Sequence, residues 1–187
     1  MRLLAAHGAA LADFDRLVDR IGPGQWEAPT PCTEWSVRDL LGHLVSEQLW
    51  VPALLAGQTP AQVGDRFDGD QLGTDPVAVW RRSSQAARRE WLAPGAIERQ
   101  VHLSYGTDSA ANYGWQMTLD LAVHGWDLAT GLGVAFRVPD ELAEALYREF
   151  AEQIPKWQGL GLFAGPVAVP ADADPHTRLL ALLGRKP

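Results

Sequence analysis

Apolar residues recur at three- and four-residue steps through Leu3, Leu4, Leu11, Phe14, Leu17, Val18 and Ile21, the spacing of a helix with one buried face over about residues 2–21. Gly22-Pro23-Gly24 ends it. From Gln25 to Trp35 the pattern lapses: Pro29 and Pro31 forbid a helix, while Trp26 and Trp35 are large enough to pin a loop to the body. Ser36 then reads as an N-cap, with Asp39 as a shorter capping-box partner and Trp35 and Leu40 at the two positions of a hydrophobic staple. Such a start sets the rotation of a helix reaching about Ala56, with Pro52 in its last turns. Leu40, His43, Leu44 and Glu47 share one stripe of it.

Residues 57–75, rich in Gly, Asp and Gln, read as a long solvated loop whose acids miss the calcium-loop spacing. Asp75-Pro76 opens a third helix to about Leu92, with Val77, Val79, Trp80, Ala87 and Trp91 as its apolar matter and Arg81, Arg82, Arg88 and Arg89 mostly wet. After Pro94-Gly95, the stretch from Ile97 to Gly106 alternates enough for one short extended piece. A fourth long helix over about 110–130 carries an apolar stripe of Met117, Leu121, His124 and Leu128 and an adjoining polar edge of Asp120, His124 and Asp127. Gly131-Leu132-Gly133 stops it. Pro139-Asp140 starts a helix through about Ile154, an apolar loop spans 159–166, and Asp174-Pro175 starts a short last helix over 179–183. The pattern is all-α with four long helices, and residues 1–187 are expected to form a single domain.

Composition narrows the class. At 47% hydrophobic and 21% charged the chain matches a soluble globular protein, and no apolar run approaches the ~18–20 residues of a membrane span. The N-terminal apolar residues soon meet Asp13 and Asp15, an amphipathic helix and not a signal peptide, so a cytoplasmic location is expected, with no membrane partner. A net charge of -7 argues against a nucleic-acid surface. The single cysteine, Cys32, excludes an intramolecular disulfide and an all-cysteine zinc site.

Asp120 and His124 rise from one helix face with Cβ atoms about 5–6 Å apart, near enough to share an ion. If His43 faces the same space, three ligands are present and a fourth position stays open. An Asp–His hydrogen bond would satisfy the same side chains, and a lone inward histidine is usually a packed core residue. Both readings stand on the residues alone. Asp127, three residues after His124, could accept from a ligand histidine or cap a loop, and Glu47, one turn after His43, could support a ligand or simply sit on the helix surface. Cys32 precedes a helix start, where a thiolate is stabilised, but no second cysteine or histidine lies near it in sequence, and no redox or catalytic role is assigned. His7 reads as surface and Trp115 and Trp126 as core packing; His102 and His176 are given no functional role, although His102, preceding the fourth helix, could reach the site. No glycine-rich phosphate loop, nucleophile elbow or zincin motif is present.

The run Thr30-Pro31-Cys32-Thr33-Glu34-Trp35-Ser36-Val37-Arg38-Asp39-Leu40-Leu41-Gly42-His43-Leu44 and the block His124-Gly125-Trp126-Asp127-Leu128-Ala129 resemble the family of mycothiol-dependent maleylpyruvate isomerase metal-binding domains, in the DinB-like superfamily. The stretch from Gly161-Leu162-Phe163 to Arg185 is similar to the tail of an uncharacterised single-domain subfamily. The resemblance implies a DinB-like four-helix bundle of up-down-down-up connectivity, with additional short C-terminal helices and a divalent metal, zinc or nickel, at one end. The family's ligands, a His after the Trp-containing helix start and a Glu-x-x-x-His pair, map onto His43, Asp120 and His124. Asp120 stands where the family has Glu, and its shorter arm must come closer to an ion.

The isomerase also has a second domain with no counterpart here, so maleylpyruvate isomerisation itself is not carried over. The resemblance implies instead a metal-dependent thiol S-transferase or isomerase-like enzyme. It would activate a low-molecular-weight thiol, with mycothiol as co-substrate, for transfer to or isomerisation of an electrophilic small molecule. Catalytic and substrate-binding side chains are left unassigned, apart from Arg81 or Arg82 as candidates to steer an acidic substrate. The alternatives are a metal-dependent hydrolase activating water and a non-catalytic metal- or ligand-binding bundle. A homodimer would offer Trp80, Trp91 and Trp157 a second place to bury.

Overall fold

A computed structural model of the chain describes residues 1–159 and 164–187, so Gly161-Leu162-Phe163 and half of the loop expected over 159–166 lie outside the described residues. The described chain forms two compact units, residues 2–134 and residues 135–187 together with Met1.

In the first unit, four long helices carry the core: α1 (Leu3–Val18), α2 (Val37–Leu55), α4 (Pro76–Trp91) and α5 (Ala110–Gly131), with a short α3 (Pro60–Val63) between the second and third. The principal contacts pair α1 with α5 and α2 with α4, and α2–α5 and α1–α4 contacts close the ring. Helices α1 and α2, successive in sequence, therefore lie across the bundle from each other. Phe14, Leu40, Leu41, Leu44, Trp80, Trp91, Leu121 and Leu128 are fully buried within it. Each such large side chain contributes on the order of 1.5–3 kcal/mol by leaving water. Trp80 adds a directed contact, its indole N–H donating to Asp15 at 2.7 Å. Trp80 and Trp91 thus need no second subunit for burial.

The helix starts follow the sequence. Ser36 accepts from the Asp39 amide at 3.2 Å and the Asp39 carboxylate accepts from the Ser36 amide at 2.9 Å, the full capping box. Asp75 and Ser109 cap α4 and α5 in the simpler one-way form. The proline-rich loop before α2 is fastened along its length: the Val37 amide donates to Ala28, the Arg38 amide to Trp26 and the Thr30 amide to Trp35. Its far side rests on the end of α5. A Cβ at Gly131 would stand 3.1 Å from the Pro29 carbonyl oxygen, so glycine there is what permits the approach.

Several expectations change. His7 is 1% exposed, not on the surface: it continues the Leu3, Ala10, Leu11 and Phe14 stripe and meets Arg88, whose Nη1 lies 3.1 Å from its Nδ1. Arg88 also donates to the Leu4 carbonyl at 2.8 Å and is therefore half-buried, not wet. Trp115 and Trp126 are only partly covered. The expected single extended piece is one arm of an antiparallel hairpin, β1 (Gln100–Leu103) with β2 (Gly106–Ser109), in register Val101 to Asp108 and His102 to Thr107.

The second unit holds α6 (Asp140–Phe150), α7 (Ile154–Gly159) and α8 (Pro175–Leu182), with α6 packed on α8. The helix expected to reach Ile154 stops at Phe150, and a turn separates it from α7. Arg178 lies over the Tyr147 ring at 4.5 Å, and His176 accepts from the Val138 amide at 3.1 Å, a structural role. Among the described residues, no helix is long and apolar enough to cross a membrane.

Candidate metal centre

The rotation fixed by the Ser36 cap turns His43, two turns into α2, toward the middle of α5. There Asp120 and His124 sit one turn apart, as their four-residue spacing requires. His43 Nε2 lies 3.0 Å from Asp120 Oδ2, and His124 Nε2 lies 3.2 Å from Asp120 Oδ1, so the carboxylate spans both rings. The His43 and Asp120 side chains each retain 29% of their accessible surface, which leaves the cluster reachable from solvent.

The other nitrogen of His124 faces inward. Its Nδ1 is 3.0 Å from Oδ2 of Asp127, a side chain with no exposed surface. A proton on Nδ1 donated to this carboxylate makes Nε2 the atom that an ion could take once its own proton is lost, the orientation in which metal-bound histidines are usually held. The same Asp127 oxygen accepts from the Cys32 thiol at 3.1 Å, and the sulfur is 3.6 Å from His124 Nδ1. Trp35 covers both rings, its centroid 4.9 Å from that of His43 and 5.7 Å from that of His124.

The charges are strongly coupled. Burial opposes ionisation of Asp120, but the His124 and His43 charges and hydrogen bonds outweigh it and hold the carboxyl far below the usual range. Burial likewise disfavours charge on His124, yet Asp120, then Asp127 and Cys32, raise its pKa well above the ordinary value. His43 is raised by Asp120 against the same burial. Glu47 is pushed up by burial and by the nearby Asp120 carboxylate, which places it in the field of the cluster and not simply on a wet helix face.

Two donor triads share His124: His43, Asp120 and His124 on its Nε2 side, and Cys32, His124 and Asp127 on its Nδ1 side. The first suits an ion. One donor atom from each of the three residues lies within 4.8 Å of the others, near enough to converge on a single ion after a small adjustment, although the 3.0 and 3.2 Å contacts go to different oxygens of Asp120. The second triad contains the sealed Asp127 and offers no open position. His43, Asp120, His124, Asp127 and Glu47, expected from the sequence, lie together here, and Cys32 and Trp35 join them from the loop before α2 without having been expected there. His102 is turned to Thr107 at 3.1 Å, and Arg81 is held by Asp19 at 2.6 Å.

Two histidines and a carboxylate converging from two helices of a bundle define a candidate mononuclear metal centre on a DinB-like scaffold. Residues 7–129 match the family described as the mycothiol maleylpyruvate isomerase N-terminal domain, and the chain belongs to that family. Among its relatives are two uncharacterised proteins of Mycobacterium tuberculosis, from the H37Rv and CDC 1551 strains, each 31% identical over 184 residues and covering 97% of this chain and 97% of their own. A crystal structure of a mutant of mycothiol-dependent maleylpyruvate isomerase shares the fold, with a TM-score of 0.66 at 17% identity over 88% of this chain and 72% of that one.

Proposed function

We propose that the chain binds one divalent metal ion, zinc or nickel, through His43, Asp120 and His124. In this reading it is an S-transferase or isomerase-like enzyme that activates a low-molecular-weight thiol of the mycothiol class toward an electrophilic small molecule. The observation that carries the reading is the two-sided fixation of His124: Nε2 beside Asp120 and His43, Nδ1 on sealed Asp127. Bound there, the ion would supply Lewis acidity that lowers the pKa of a coordinated thiol.

The protein's own side chains have definable tasks. Asp127 keeps the His124 ring in one tautomer and orientation. Asp120 supplies the negative charge that an ion flanked by neutral rings requires. Trp35 covers the two rings on one side and limits the approach of water. Family membership supports the thiol, which the family's description names. Maleylpyruvate as substrate is left to the neighbour whose name carries it.

Elemental analysis of protein purified without chelator, followed by calorimetric titration with mycothiol, tests the reading. Near-stoichiometric metal, lost in His43→Ala, with saturable thiol binding is expected. Trace metal, or metal retained in His43→Ala, refutes the site. Turnover of esters with no thiol present would favour the hydrolase alternative.

A further inference from the structure

A cavity of about 700 Å³ opens between the first turns of α2 and the loop 67–72, and both His43 and Trp35 belong to its wall. It therefore meets the candidate centre at His43, with Asp120 and His124 set behind that ring. Three carboxylates line it, Asp39, Asp68 and Asp70, against Arg38 and the ring of His43, which is paired with Asp120. Arg38 is already engaged, donating to Asp70 at 2.8 Å and to the Gly73 carbonyl at 3.1 Å. Asp39 is held ionised by hydrogen bonds from Ser36, and Asp70 by the Leu72 amide and Arg38. Arg81 and Arg82 are not among the cavity's walls. A divalent ion would not restore a positive field, because Asp120 and a coordinated thiolate together cancel its two charges.

We infer that this cavity receives the electrophile and selects an uncharged or cationic one over a carboxylate-bearing one, with Asp68 and Asp70 as the specificity-determining side chains. The inference rests on the metal-centre reading above and adds the substrate class to it. A carboxylate entering here meets like charges and, among the described lining residues, no uncommitted cation, which is discrimination by repulsion. Trp35 and Phe67 supply apolar wall for the uncharged body of a ligand. Asp68 is exposed, and Gln71 uses its carbonyl oxygen, so its carboxylate can be altered with little consequence for the loop.

The test compares maleate with dimethyl maleate, which share a carbon skeleton and differ in charge. Binding is measured by amide chemical-shift changes in zinc-loaded, isotope-labelled protein whose metal and mycothiol binding have been measured first. The diester should shift resonances of residues 67–72 and bind at least about tenfold tighter than the diacid at low salt, with the ratio falling toward unity as ionic strength rises. Asp68→Asn should narrow the ratio about threefold and Asp68→Lys should invert it, with Asp70→Asn as a second variant that also releases Arg38. Equal affinity, preference for the diacid, indifference to salt and to Asp68→Lys, or shifts confined to other regions would each overturn the inference. Failure of metal or thiol binding sinks the proposed function and this inference with it. Normal metal and thiol binding without charge preference sinks this inference alone.

Discussion

Asp127 offers the sharpest test of how the centre is built. Its Oδ2 accepts two bonds, from His124 Nδ1 at 3.0 Å and from the Cys32 thiol at 3.1 Å, in a pocket with no exposed surface. In Asp127→Ala both donors lose their acceptor, and His124 is free to move its proton to Nε2, the atom needed for the ion. Removing such an orienting carboxylate typically weakens metal binding about 10–100-fold, equivalent to about 1.4–2.8 kcal/mol. Asp127→Asn should fall between wild type and alanine, because its amide oxygen can still accept both bonds while the charge is gone. Affinity is read by competition with a chromogenic chelator, and the tautomer by nitrogen shifts of the His124 ring. Parental affinity in Asp127→Ala, with Nε2 unprotonated, would refute the idea that the buried carboxylate prepares the ligand.

The remaining predictions concern stability. His7 titrates at 6.5 in the unfolded chain but is lowered to about 3 in the fold, by burial first and by Arg88 second. The unfolded state therefore takes up its proton first: stability from this ring is full above pH 6.5 and declines as pH falls toward about 3, by up to about 4–6 kcal/mol. Urea titrations between pH 6.5 and 4.5 should show that slope flattened in His7→Gln, and an unchanged slope would assign it to other groups. Ser36→Ala, which removes half of a reciprocal cap, should cost about 1 kcal/mol and lower Tm by about 2–4 °C. Gly131→Ala forces a Cβ to 3.1 Å from the Pro29 oxygen. A loss of about 1–3 kcal/mol is expected on denaturant unfolding, and no loss would show that the loop yields freely.

The parts legible in the sequence were those decided locally. Ser36 with Asp39, Asp75-Pro76 and the four-residue step from Asp120 to His124 each act within a turn of helix, and each stands where its spacing places it. His7 was misjudged on polarity, although its register with Leu3 and Phe14 already put it on the buried stripe. Cys32 is a different failure. It is 95 residues from Asp127, and only the docking of its loop against α5 brings them together. The one available signal was its position between Pro31 and the helix that carries His43. The second hairpin strand went unread because Gly106 to Ser109 has no apolar alternation of its own and is defined by pairing with β1. The small α3 did announce itself through Thr59 and Gln62, which form a capping box in a stretch otherwise dismissed as solvated loop.

The placement of Asp120 between two imidazoles would make folding independent of the metal loading proposed above. Without an ion, each of the three polar groups already has a partner, so the cluster holds together by its own hydrogen bonds. That differs from structural zinc modules, whose ligands repel or stay unsatisfied until the ion organises them. In the proposed reading the ion would enter a finished protein by displacing protons from the rings. A chelator should strip it with little change in helical circular dichroism, and the emptied chain should be reloadable with a different divalent metal without passing through an unfolded state. Metal content would then follow the supply of ions around the protein throughout its lifetime, not only at the moment it folds.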